Sequence, residues 1–182
     1  MARNKRRVVI AVYHRDQESL GPNRQRLGHA AYHWAILIIP KSGGGPVCWA
    51  FDVTNGAKPA TGLNTQDLNP HGDWWYRSRT DADKERSSHL LAMAMIGKLP
   101  PGVFFGDVDS VLRQLPVPQR HQIPEENCVS WTRDAIRALE RAGYSENLSV
   151  EHVMNSGLRF ADEVMNRSKN AQTVQNLTKR PM

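Results

Sequence analysis

The 182-residue chain holds only two cysteines, Cys48 and Cys128. Two thiols cannot build a disulfide framework, so the fold must rest on its own core. Long apolar runs are missing as well. The longest, WAILIIP, is bounded by His33 and Lys41, well short of the ~20 residues that span a bilayer. Near the start, MARNKRRVVIAVYHRD is basic, but VVIAVY is too short for the apolar core of a signal peptide, and the expected location is cytoplasmic. Three Asn-X-Ser/Thr triplets, at Asn147, Asn166 and Asn176, therefore read as accidental matches to a glycosylation pattern. No paired CxxC or HxxxH ligands occur, which argues against a closed zinc site, and neither GxxxxGK[ST] nor GxGxxG occurs, which argues against a phosphate-cradling loop. No cofactor is expected.

What is present suits a single domain: 40% hydrophobic residues, a net charge of +6 and a pI near 9.6. The positive charge is concentrated at the ends, in RNKRR and in Lys169, Lys179 and Arg180 of SKNAQTVQNLTKRPM. Solvated tails explain that distribution better than a nucleic-acid footprint does. The expected division is a folded unit over residues 1–165 and a polar basic tail over 166–182.

Along the chain, RRVVIAVYHR reads as a first strand and residues 16–31 as a polar loop. YHWAILIIPK reads as a central strand buried on both faces, followed by the turn PKSGGGP and a third strand, VCWAFDVTN. WWYRSR alternates as a fourth strand. HLLAMAMIGKL fits a fifth strand or a short helix. VDSVLRQLPV predicts a short helix capped by Asp107 or Asp109. From Cys128, the apolar positions Val129, Trp131, Ala135, Ile136, Leu139 and Ala142 recur at helical spacing, with Gly143 as the stop. A last helical region follows over SVEHVMNSGLRFADEVMNR, with Ser149 as its cap and Gly157 as a possible break. The fold class is α+β, an antiparallel sheet packed against helices.

Cys128 opens the helix in NCVSW. There the macrodipole and unpaired amides favour a thiolate, and those same amides suit an oxyanion formed by attack on a carbonyl. A buried core thiol is the competing explanation. His33 begins the buried strand, where an imidazole on an apolar run needs a polar partner. Asp52 lies inside CWAFDVT, and on an adjacent antiparallel strand it could accept the imidazole N–H if both side chains share a face. Tyr13 and His14 on the first strand are candidates for the substrate wall, Tyr13 also as a second oxyanion donor. Trp34 and Trp131, within the two motifs, are further candidates for that wall. Trp74 and Trp75 read as core or cleft wall, Cys48 as a buried thiol, and His29, His71, His89, His121 and His152 as exposed or capping histidines.

Together, YHWAILI, a Gly-rich turn, WAFDVTN and NCVSW resemble the permuted papain-like cysteine hydrolases and acyltransferases, the NlpC-type and lecithin:retinol acyltransferase-like superfamily. Small uncharacterised fungal proteins with HWALL and NC-x-x-W segments are similar too. The resemblance spans roughly residues 8 to 142. It implies a single permuted papain-like domain with a catalytic order of His33, Asp52 and Cys128. The acyltransferase branch carries His at the third position and an NCEHF-type motif, where this chain has Asp52 and NCVSW. The implied activity is cysteine-dependent hydrolysis or acyl transfer at an amide, thioester or ester of a small-molecule or peptide substrate. A catalytically silent module that binds a peptide or acyl ligand is the alternative.

Overall fold

In the computed structural model, which describes residues 5–41, 47–60, 66–167 and 173–182, six strands form one mixed sheet with four α-helices. The glycine-rich turn over 42–46, the first four residues and Lys169 lie outside the described residues. β1 (Arg7–His14) pairs antiparallel with β2 (Tyr32–Ile39), and β2 pairs with β3 (Val47–Thr54), which pairs with β4 (Trp75–Asp83). On its other side β1 pairs antiparallel with β5 (Leu90–Lys98), and β5 pairs parallel with β6 (Val174–Asn176). The order is thus β4-β3-β2-β1-β5-β6. The four strands read from the sequence are all there, and of the two possibilities left open for HLLAMAMIGKL, Leu90–Lys98 is a strand because its neighbour β1 offers a ladder.

Alternation along these strands sorts their side chains onto two faces. Val8, Ile10 and Val12 of β1, Trp34, Ile36 and Ile38 of β2, and Phe51 and Val53 of β3 face the helices in the main core. Val9, Ala11, Leu37, Ile39, Ala50, Met93 and Met95 form a second cluster on the opposite face. Ala82 of β4 and Val174 of β6 both pack on that second cluster. Central strands buried on both faces read as unbroken apolar runs, which is why YHWAILII has no polar alternation.

Residues 16–31 are not a loop. They form a 3-10 turn (Asp16–Ser19), the helix α1 (Gly21–Leu27) and a second 3-10 turn (Gly28–Ala31). Pro in the first turn of α1 costs no hydrogen bond there, and Gly28 ends the helix at φ 56°. α2 (Phe105–Arg113) begins earlier than expected, and neither predicted cap holds. Asp107 instead sits in the first turn, where Oδ2 accepts from the Phe104 amide at 2.8 Å. Asp109 accepts from Tyr76 Oη at 2.9 Å and pairs with Arg113, tying the helix to β4.

α3 (Cys128–Arg141) and α4 (Val150–Met165) start and stop where their sequences place them. Gly157 does not break α4. A Cβ there would lie 2.8 Å from Trp34 Cζ3 and 2.9 Å from Ile10 Cδ1, so glycine lets the helix lie directly on the sheet. The supposed tail is only partly a tail. β6 extends the sheet, Lys98 Nζ donates to the Pro181 carbonyl, and Arg180 pairs with Glu146 at 3.2 Å. Three extended residues suffice to use the open edge of β5, a gain that composition cannot reveal. Among the described residues no helix is long and apolar enough to cross a membrane.

Candidate functional site

The three predicted chemical residues come from three elements that meet at the N-terminal end of β2. His33 is the second residue of β2 and Asp52 the sixth of β3, each on the sheet face turned away from the helices. The β2–β3 register pairs Ile36 with Phe51 and Leu37 with Ala50, which sets Asp52 diagonal to His33 on a shared face. His33 Nε2 lies 2.8 Å from Asp52 Oδ2. With Asp52 ionised, Nε2 carries a proton and donates, so Nδ1 is the ring nitrogen that can take and return a proton.

Asp52 is held from its other side by a residue the sequence reading passed over. Arg77 faces Asp52 directly across the β3–β4 ladder and grips it with two hydrogen bonds, Nε to Oδ1 at 3.0 Å and Nη2 to Oδ2 at 2.6 Å. The Asp52 side chain is only 4% exposed. Burial alone would raise its pKa, but the His33 hydrogen bond and the Arg77 fork outweigh that and pull it down to about 2. The alternation in WWYRSR was the available signal, since an acid and a base at opposed cross-strand positions pair, but it needs the register to be used.

Burial by itself would lower the His33 pKa, yet the Asp52 hydrogen bond, followed by the Cys128 side chain, lifts it to about 9. The imidazole is therefore held as an imidazolium near neutrality, between a carboxylate and a thiol.

Cys128 is the first residue of α3, behind the cap Asn127. Asn127 Oδ1 accepts from the Val129 amide at 2.8 Å, and the Asn127 amide donates to Ser130 Oγ at 3.0 Å. Among the described residues no hydrogen bond engages the Cys128 amide, which leaves it available to an oxyanion. Sγ is close enough to affect His33, while its own hydrogen bond goes to the Tyr32 carbonyl at 3.9 Å. The thiol is 1% exposed and belongs to the main core. That core lies on the helix side of the sheet.

The four predicted wall residues divide. Tyr13 stands opposite His33 in the β1–β2 ladder with ring centroids 6.1 Å apart, and both Tyr13 and His14 line a cavity of about 320 Å³ that also contains His33 and Asp52. Trp34 and Trp131 do not belong to a wall. Trp34 is fully buried beneath α4, with Nε1 donating to the His29 carbonyl at 2.8 Å, and Trp131 is 2% exposed, packed against Tyr76. Both occupy even-numbered or helix-inward positions that the fold turns into the core, so proximity to a motif in sequence did not mean proximity to its ligand. Cys48 is buried and donates to the Ala82 carbonyl at 3.1 Å. Among the described residues no group of three or more His, Cys, Asp or Glu side chains is clustered as metal ligands are.

A family model matches residues 5–182, nearly the whole chain, and is described as a family of unknown function (DUF6914). No curated protein and no solved structure matches the chain significantly.

Proposed function

Because the chain belongs to that DUF6914 family, whose function is unknown, we propose an activity from the chemistry of the site: cysteine-dependent hydrolysis or acyl transfer by a permuted papain-like domain. The observation that carries it is the buried His33–Asp52 hydrogen bond beside a cysteine at the first position of a capped helix. In this reading His33 Nδ1 takes the Cys128 proton, or holds it already in a thiolate–imidazolium pair, and Sγ attacks an acyl carbonyl. The carbonyl π electrons move to oxygen, and the Cys128 amide stabilises the oxyanion. Collapse expels the leaving group, which takes its proton from His33, and a thioester remains. Water or an acceptor nucleophile, deprotonated by His33, then releases the acyl group and restores the thiol. Asp52 orients the ring, and Arg77 keeps Asp52 ionised and in place.

The burial of Cys128 favours a second reading, a catalytically silent module that binds a peptide or acyl ligand in the same cleft. Alkylation by iodoacetamide, followed by mass spectrometry across pH 5 to 9, separates the two. Cys48, equally buried, is the internal control. Cys128 that labels faster than Cys48 well below the ordinary thiol pKa of about 8.5, with that advantage lost in His33→Ala, supports the enzyme. Labelling no faster than that of Cys48 and indifferent to His33 refutes it.

A further inference from the structure

The cavity that holds the rear of the His33–Asp52 pair has a composition that the proposed chemistry does not use. Its floor is built from Ala35 of β2 and Ala50 of β3, small residues that leave a depression between the larger side chains of β1 and β4. Alternation along β4 projects Arg77 and Arg79 onto this same face, opposite Asp52 and Ala50. The β4–β5 connection closes one side with Ser87 and His89, and the His89 ring meets His14 edge-on at 6.1 Å.

Counting donors and acceptors shows what such a lining accepts. The one carboxylate in it, Asp52, already receives three hydrogen bonds, from His33 and twice from Arg77. Arg77 uses Nε and Nη2 on Asp52 and keeps Nη1. Among the described residues, no hydrogen bond or ion pair engages the guanidinium of Arg79 or Oη of Tyr13. Burial pushes the Tyr13 phenol well above its ordinary pKa, so it remains an O–H donor. Asp16 lies 3.9 Å from His14 Nδ1 at the rim and is 80% exposed. The pocket thus presents spare N–H and O–H donors and one guanidinium without an ion pair on a low, apolar floor, with its one carboxylate already accepting three hydrogen bonds.

We propose that this pocket binds a small oxyanion, the carboxylate or phosphate group of a low-molecular-weight ligand, with Arg79 as its main cation and Tyr13 and Arg77 Nη1 as further donors. A cavity of about 320 Å³ is at the small end of ligand sites and suits a compact anion rather than a polymer. Planar guanidinium donors recognise both carboxylate and phosphate oxygens, so the two sources share one chemistry. The site is distinct from the thiol: Cys128 lies on the helix side of the sheet and does not line the cavity.

The test is binding to the full chain by calorimetry and amide chemical-shift mapping, with succinate, inorganic phosphate and the neutral succinamide as probes. Succinate or phosphate, or both, should bind in the millimolar range or tighter, shift the amides of Tyr13, Arg79 and His89, and weaken as salt is raised; which anion binds more tightly identifies the source. Arg79→Gln should weaken binding about tenfold or more, Arg79→Lys should restore part of it, and Arg137→Gln, on the exposed face of α3, should leave it unchanged. Arg79 is exposed, so its replacement does not threaten the fold. Absence of binding by both anions, equal binding of succinamide, or loss that is the same for Arg79→Gln and Arg137→Gln overturns the proposal. None of these readouts depends on whether Cys128 is a nucleophile.

Discussion

Asp52→Asn tests the electrostatic design of the site most directly, because it removes one charge while keeping the size of the side chain. In the wild-type protein Asp52 and Cys128 hold the His33 pKa at about 9, against an ordinary value of 6.5. A group whose pKa is raised on folding stabilises the protein fully below its unfolded pKa, and that contribution disappears as pH climbs through the folded value. The window is therefore pH 6.5 to 9. At about 1.4 kcal/mol per pH unit, the lost stabilisation is about 3 kcal/mol, and closer to 2 once the partial exposure of the ring is allowed for. Urea unfolding at several pH values between 5 and 10 reads this as a decline on the alkaline side. Asp52→Asn should unfold more easily throughout, because Arg77 loses its partner, and the decline between pH 6.5 and 9 should flatten relative to wild type. NMR titration of the His33 ring should show its pKa falling toward or below 6.5. A wild-type curve with the same alkaline slope as the variant, or a His33 that titrates near 6.5 in both, would refute the reasoning.

On the acid side the sign reverses. The depressed Asp52 pKa contributes stability above 3.8 that is lost as pH falls toward 2, so the wild type should take up a proton on unfolding between about pH 2 and 4, seen as a loss of urea stability over that range that Asp52→Asn lacks. Arg77→Ala, which leaves a buried carboxylate with only the imidazole, should cost about 3–5 kcal/mol in urea unfolding, and a cost below about 1 kcal/mol would mean the fork is incidental. Gly97→Ala should be worse tolerated than Gly157→Ala. At Gly97 a Cβ would meet backbone, Ser145 Cα at 2.5 Å and the Tyr144 carbonyl at 2.6 Å. At Gly157 it would meet the side chains of Trp34 and Ile10, for about 1–3 kcal/mol of overpacking, partly offset by about 1 kcal/mol of helix propensity. Thermal unfolding that ranks them the other way would contradict the packing described above. Asn127→Ala should cost about 1 kcal/mol through the lost cap on the Val129 amide, seen as a lower urea midpoint.

Those perturbations touch features of unequal visibility in the sequence. The strands β1 to β4 and the helix α3 were legible because each depends on its own pattern: β-rich apolar runs bounded by breakers, and a helical repeat that starts at an Asn cap and ends at glycine. Cys128 at the helix start and His33 at the strand start were legible for the same reason, since position within an element is local information. Asp52 could be nominated, but only the register could decide its partner. That register put it on the face of His33 and opposite Arg77.

Everything that depends on which face a residue shares, or on what lies across a strand, was decided by tertiary structure. Trp34 and His33 are neighbours in the chain, yet pleating sends one under α4 and the other to the cavity. Gly157 looks like a helix break in isolation, and only the sheet beneath it reveals a close approach. The strand β6 exists because β5 leaves an edge open, and Arg77 and Arg79 acquire a role only when β4 sets them against Asp52 and Ala50. Sequence determined which elements form and which residues carry reactive groups, because propensity and periodicity act over a few residues. The fold determined which of those groups meet, because hydrogen-bond register and packing join positions that are distant along the chain.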